Sequence, residues 1–493
     1  MQKVSIKKNF ILSTAYQLLL IVAPLVTAPY VARVLGPDRV GIYSATNSIQ
    51  MYFSLFAALG TASYGAREIS RARDDEAKRS KLFWEIELLT VATTLVILVI
   101  WGAWIAVAPE YKIYYLVLTL NLFNTMFDIS WFFKGLEQFS YTVRQNTIFK
   151  LLGIVLLFVL IKDENDLALY IALMCCTSLF GTLSMWIYLP RFLVKVDRRS
   201  LRIWPHLRET LVYFVPTIAT SVYTYLDKTL IYAIARNPSE NGYYEEATKI
   251  VNLVKSVTFT SLNAVLEVRA SYLFLEKKYD EIKEKIRECM DYILFMGIGA
   301  CLGLIGIAER FVPLFFGESF RPVTPILMLL SPVVVIIGIS NCIGSLYYTP
   351  AGLRKKSAGF IVIGAVINFF MNLLLIPRLG GLGAVAGTLI AETVITVLYM
   401  AFCDRYLTVG LLVKLGWKKL AAGVIMAPVV WWIGTKIAGG FLSVAVQILA
   451  GGSVYLAVLF LLHDSFLFEV VGQKVLGGVL AKVKKKLSRQ GIK

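Results

Sequence analysis

The sequence predicts an all-α polytopic membrane protein with about 14 transmembrane helices. They form two six-helix lobes related by a pseudo-twofold, plus two C-terminal helices. Three observations predict this. Hydrophobic residues fill 57% of 493 positions, above the roughly 45–50% typical of soluble domains, and mean hydropathy is +0.69. Windows of about 20 residues without a fixed charge recur along the chain, the length that crosses a bilayer as a helix. The connectors between them alternate between basic-rich and basic-poor, the pattern of the positive-inside rule.

In chain order the spans are 9–34, 40–65, 82–107, 113–133, 145–161, 167–189, 209–235, 242–268, 289–308, 322–349, 358–377, 382–403, 417–435 and 442–463. With the first residue placed inside, 35 of the 50 Lys and Arg fall in inner segments and 8 in outer connectors. Seven lie within spans: Lys418 and Lys419 at the inner edge of one, and Arg33, Lys150, Lys228, Lys249 and Lys255. Both termini are therefore expected in the cytoplasm. The net charge of +18 reads as a topology signal, and no nucleic-acid partner is expected. The first apolar run lacks a small-residue cleavage site and leads into a full span, so it is not a signal peptide.

The domain reading follows. Residues 1–190 form an N-terminal six-helix lobe, 191–208 a cytoplasmic basic linker and 209–405 a C-terminal six-helix lobe. Two additional helices fill 406–465, and 466–493 is a basic amphipathic cytoplasmic tail. In the tail Lys482, Lys484, Lys485 and Lys486 would meet anionic lipid or serve as a topology anchor. The inner connectors 66–81, 191–208 and 269–288 are long and mixed in charge. In the first and last, i, i+4 charge pairs suit solvated or interfacial helices. The outer connectors are short, which leaves no external domain for an enzyme active site. Six cysteines without CxxC spacing and only two histidines leave metal chemistry almost no ligands.

An internal repeat organises the chain. LGPDRVGIYSATNSI (35–49) and RNPSENGYYEEATKI (236–250) match at an offset of 201, pairing Pro37 with Pro238, Gly41 with Gly242 and Tyr43 with Tyr244. SWFFKGLEQ (130–138) is echoed by LYYTPAGLR (346–354). Six spans per repeat keep both halves in one orientation, as in two-lobed transporters with parallel repeats.

The charges inside the spans mark the candidate site. A charge at mid-bilayer costs about 2.5–3.5 kcal/mol on insertion scales, so it normally faces protein or a wet cavity. Thr217, Thr220, Ser221, Thr224 and Lys228 share one helical stripe, which implies a water-filled lumen or a polar helix seam. On the second span Tyr43, Asn47, Gln50, Ser54 and Thr61 share a face. The repeat carries that face to Tyr244, Thr248 and Lys255, with Lys249 a quarter-turn away and Arg33 approaching from the outer end of the first span. The opposing acids are Asp227, Glu245 and Glu246. Each charge has two readings, site or structural ion pair, and Glu245 with Lys249 makes an i, i+4 pair.

The chain resembles the polysaccharide transport group of the multidrug/oligosaccharidyl-lipid/polysaccharide exporter superfamily, the Wzx-type flippases. The resemblance rests on RVLGPDRVGIYS (33–44), YGAREISRAR (64–73), DISWFFKGLEQFSYTVRQNTIFK (128–150), LDKTLIYAIARNPSENGYYEEATKI (226–250), VRAS (268–271) and NFFMNLLLIPRLGGLGAVAGTLIAE (368–392). It implies two lobes around a cationic cavity, with Arg67 and Arg269 joining Arg33, Lys228, Lys249 and Lys255. It implies a polyprenyl-pyrophosphate-linked glycan as substrate, moved across the bacterial cytoplasmic membrane, with a polysaccharide polymerase and other envelope-assembly proteins as partners. Val268 stands where many relatives have Pro, so the proline kink expected there is absent.

No cofactor is expected, and no GxxxxGK[ST] loop for ATP occurs. Sodium or proton coupling is open, with Asp128, Asp227, Glu246 and Glu392 as candidate carriers. The alternative is a cation-coupled multidrug exporter of the same architecture, which the lysine-rich set disfavours.

Overall fold

The computed structural model describes residues 6–108, 110–437 and 439–468, and among them there are helices and turns but no strand. The basic tail therefore lies almost wholly outside the described residues.

The first helix, α1 (Ile6–Ala58), runs through two expected spans and bends at Gly36, whose φ is 73°. A residue with a side chain is strained in that left-handed region, and the following Pro37 has no N–H to continue the ladder. After a second left-handed glycine, Gly60, come α2 (Thr61–Arg71) and α3 (Glu76–Val107), the latter capped by Asp75, which accepts from the Lys78 amide at 2.9 Å. Then follow α4 (Lys112–Phe127), the short α5 (Ser130–Gly135), α6 (Phe139–Leu160), α7 (Leu167–Met185) and α8 (Trp204–Ala235). Next are α9 (Pro238–Lys255), a π turn at Ser256–Thr260 and α10 (Ser261–Leu275). The chain continues through α11 (Tyr279–Phe316), α12 (Val323–Leu330), α13 (Val333–Ile343), a second π turn at Gly344–Tyr348, α14 (Arg354–Leu379), α15 (Gly381–Ala401), α16 (Val409–Lys436) and α17 (Phe441–Leu461).

Ten helical stretches among the described residues are long and apolar enough to cross a membrane. The longest, Tyr16–Arg71, has 56 residues, far more than one crossing needs. The helices keep large apolar side chains on their outsides, such as Val99, Val155, Val397 and Leu449, where water would penalise them and lipid does not. This is a multi-pass membrane protein.

The chain divides into two compact units, Met1–Glu245 with Ile376–Gly381, and Glu246–Leu375 with Leu382–Lys493. In the first, the aromatic run of α5 becomes core. Trp131, Phe132 and Phe133 pack with Phe83, Ile69 and Leu136. The basic linker is pinned to the same unit. Arg79, 2% exposed, donates to the Phe192 carbonyl from Nε and Nη2 at 3.1 and 2.7 Å. His206, at the start of α8, bonds Tyr64 through Nδ1 at 2.7 Å and Glu85 through Nε2 at 3.0 Å. The linker is thus docked through residues that composition alone would leave in solvent.

In the second unit, α16 lies against α11 and is held by a buried ion triad. Lys419, fully buried, donates to Asp291 at 2.6 Å and to Asp464 at 3.0 Å. The aromatic echo of α5 is present here, with Tyr348 bonded to the Tyr399 carbonyl at 3.1 Å. Its register differs from the sequence match. The left-handed residue closing the turn is Glu137 in one unit and Gly352 in the other, so the two Gly-Leu pairs are not structurally equivalent.

Candidate functional site

The expected charges are held in pairs, and the pairs form locally within each unit. In the first unit, α8 contributes Asp227 and Lys228 as adjacent residues, which point in different directions around the helix. Lys228 Nζ lies 2.5 Å from Glu245 Oε2, with both side chains largely buried. The same carboxylate oxygen accepts from Ser44 Oγ at 3.0 Å. Asn241 donates to the Lys228 carbonyl at 2.9 Å, and Tyr244 donates to Asp227 Oδ2 at 2.5 Å. Five of these residues sit within ten positions of the turn after α8. The Pro-Gly turn therefore works as a template that folds α9 back and brings its acids to the lysine.

Glycine makes the close approach possible. A Cβ on Gly41 would sit 1.7 Å from the Pro238 carbonyl oxygen, and one on Gly242 would sit 2.3 Å from that of Pro37. Ser239 also donates to Asp38, its repeat counterpart. The two Pro-Gly turns singled out by the repeat thus pack directly on each other.

In the second unit Lys249 Nζ meets Glu246 Oε1 at 2.7 Å, with Glu246 fully buried. Lys255 on α9 interacts electrostatically with Glu392 on α15. The sequence pairs Glu245 with Lys249. The structure also gives Glu245 a partner across the turn, Lys228, and Lys249 a partner three residues back on α9, Glu246.

Residues 6–266, just over half of the chain, match the model of the family described as polysaccharide biosynthesis protein. The chain belongs to that family. Relatives extend the match. A putative O-antigen transporter of Escherichia coli (strain K12) is 21% identical over 406 residues, covering 81% of this chain and 97% of that protein. A probable low-salt glycan biosynthesis flippase, Agl15 of Haloferax volcanii, is 21% identical over 248 residues, half of each chain. Among solved structures, the lipid II flippase MurJ in an inward closed conformation aligns with TM-score 0.72 at 13% identity, covering 93% of this chain and 99% of that one. That likeness establishes the two-lobed fold that the motifs implied.

The remaining expected residues of this polysaccharide biosynthesis protein are more scattered. Arg33 and Thr224 are exposed and Asn47 is half-buried. Gln50 is fully buried, donating to Ser54 at 2.7 Å and accepting from Asn121 at 3.4 Å, so its amide is committed inside the first unit. Thr248 keeps its hydroxyl buried without a hydrogen-bond partner. Arg67 donates to the Tyr213 hydroxyl, and Arg269 sits 5.7 Å over the Tyr272 ring. The side chains of Thr217, Thr220 and Ser221 lie outside the described residues, so the expected stripe on α8 is visible only at Thr224 and Lys228. Asp128 accepts from the Ser130 amide at 2.9 Å and borders a cavity of about 380 Å³ inside the first unit.

Two polar groups escaped the sequence reading. Asn368 and Asn372 are fully buried one turn apart on α14, and Asn372 donates to Asn368 at 3.1 Å. Their i, i+4 spacing in an apolar run was the available signal. Glu87 is buried on α3. It lay hidden in WEIELL, at the edge of a basic connector, where an acid reads as a solvated counter-charge.

Proposed function

We propose that this protein is a flippase. It carries an oligosaccharide linked to polyprenyl pyrophosphate from the inner to the outer leaflet of the bacterial cytoplasmic membrane, by alternating access, for cell-surface polysaccharide assembly. Its role is transport rather than catalysis. Both termini lie in the cytoplasm, in keeping with the distribution of Lys and Arg. A polysaccharide polymerase and other envelope-assembly proteins are its protein partners.

The observation that carries this reading is the match with the putative O-antigen transporter, which takes in 97% of that protein. The geometry supplies a chemistry. A pyrophosphate headgroup brings about two negative charges, which cannot cross hydrocarbon bare. Lys228, Lys249 and Lys255 each have an acid as resident partner. An arriving diphosphate competes with those acids for the same ammonium groups. Each displaced carboxylate then needs a new counter-cation, a proton or a sodium ion. Substrate capture and cation uptake are thereby linked through one ion pair.

The test uses a strain lacking the gene, grown with a labelled sugar. Lipid-linked repeat units should accumulate in the inner leaflet, and the wild-type protein should clear them. Lys228→Ala and Lys255→Ala should not. Absence of accumulation in the deletion strain would overturn the function, and full export by either variant at normal protein level would remove that lysine from it.

A further inference from the structure

The cavity of about 380 Å³ beside Asp128 has a neighbour. A second space of the first unit, of about 270 Å³, is walled by the last turns of α1, the start of α2, α3, the end of α4, α5 and α8. Asn124 and Asp128 border both spaces. The size is near the lower end of small-ligand clefts, about 300 Å³. Among the described residues no Lys or Arg borders it, so it offers nothing to a pyrophosphate.

Its walls are rich in hydrogen-bond acceptors. Thr61, Thr90 and Thr125 each have a backbone carbonyl for the hydroxyl hydrogen, those of Ala58, Ile86 and Asn121 at 2.7, 3.1 and 3.0 Å. Lone pairs are what these hydroxyls have left to offer. Asp128 gives Oδ1 to the Ser130 amide, and among the described residues no protein group bonds its Oδ2. Donors come from two side chains. Asn124 accepts from Thr182 through Oδ1 at 2.6 Å, which leaves its amide hydrogens to donate. Trp131, 3% exposed, has an indole N–H without a partner. Its ring is wedged in place, stacked on Phe83 at 5.7 Å, and a Cβ added to Gly65 would lie 2.4 Å from it. A buried donor left unmade is costly, and water or a ligand is what completes it.

A sugar hydroxyl is the complement of such walls. It donates once and accepts twice, so a ring with hydroxyls on adjacent carbons uses acceptors and donors packed this closely. Tyr225, edge-on to Tyr52 with centroids 6.1 Å apart, adds an aromatic wall for the C–H face of that ring. An organic cation would use the one carboxylate and leave the hydroxyls and the indole N–H unserved. An acidic sugar would be turned away by that carboxylate.

We propose that this cavity is the subsite for one neutral sugar ring of the carried glycan. The proposal rests on the flippase reading and divides its work: lysines meet the diphosphate, and the hydroxyl-lined cavity of the first unit reads the sugar.

The probe is the free oligosaccharide released by mild acid from the lipid-linked units that a deletion strain accumulates. It is titrated into the full-length protein in nanodiscs, with the heat of binding as readout. The wild type and Gly102→Ala should bind it. Thr90→Val keeps the side-chain shape and removes the hydroxyl; Trp131→Phe keeps an aromatic ring and removes the N–H. Each should weaken binding at least tenfold. If Trp131→Phe does not fold, Thr90→Val and Thr125→Val decide. No binding by the wild type, or undiminished binding by the folded variants, would overturn the subsite. So would binding of tetraphenylphosphonium that displaces the oligosaccharide and is lost in Asp128→Asn, the mark of an organic-cation site. A deletion strain that accumulates no lipid-linked glycan would sink the flippase reading itself. An accumulated glycan that does not bind once released would sink the subsite alone.

Discussion

Ser44 donates a hydrogen bond to Glu245, the residue 201 positions after it. The offset is that of the internal repeat, so two positions that correspond to each other in sequence touch in space. Asp38 with Ser239 and Gly41 with Gly242 do the same. Equivalent residues meet only where a local two-fold passes between them. The two copies of the turn have since diverged at this contact: a serine faces a glutamate, and the glutamate has recruited Lys228.

That ion pair can be separated into a structural and a transporting part. Lys228→Met alone takes that cation away from a largely buried carboxylate and should cost about 3–5 kcal/mol of stability. The double change Lys228→Met with Glu245→Met should recover most of that loss, because apolar replacement of a buried pair is close to neutral. Thermal unfolding in detergent reads the first effect. Glycan export should stay abolished in the double variant. Restored export would show that the pair only holds the fold.

The glycine contact gives a second prediction. Gly41→Ala and Gly242→Ala each drive a methyl group into a backbone carbonyl that cannot step aside. Export should fall at least tenfold in both. Gly102→Ala is the control, since an added Cβ there meets nothing within 4 Å. It should leave export unchanged and gain up to about 1 kcal/mol from helix propensity.

How far the residues themselves revealed this is uneven. The repeated Pro-Gly turn, the helical membrane-spanning character and the break before Pro37 were legible, because turn chemistry and hydrophobic length are local properties. The partners of the lysines were not. Helix periodicity says which residues share a stripe on one helix, and Glu245 with Lys249 fits that rule. It is silent about Lys228, which reaches Glu245 only after the chain has turned at Pro238. Gln50 shows the same limit: its face was readable, but its burial against Asn121 depends on α4. Glu87 was missed because burial of an acid in a charged-looking segment is decided wholly by tertiary packing.

Lys419 gives a third prediction, about the attachment of α16 and α17. It is fully buried between Asp291 and Asp464. Lys419→Met leaves two acids facing each other without a cation and should cost about 3–5 kcal/mol. The loss should be local. Limited proteolysis should cut near Asp464 earlier than in the wild type, while cleavage at the 191–208 linker keeps its rate. Simultaneous acceleration at both places would mean that the triad supports the whole molecule.

The π turn at Ser256–Thr260 follows Lys255 directly. A π turn carries one residue more than the α-helix around it. If that surplus residue were absorbed, everything from Ser261 to Leu275 would rotate by about 100°, the angle one residue occupies on a helix. Arg269, near the far end, would then swing to a new bearing while Lys255 stayed where it is.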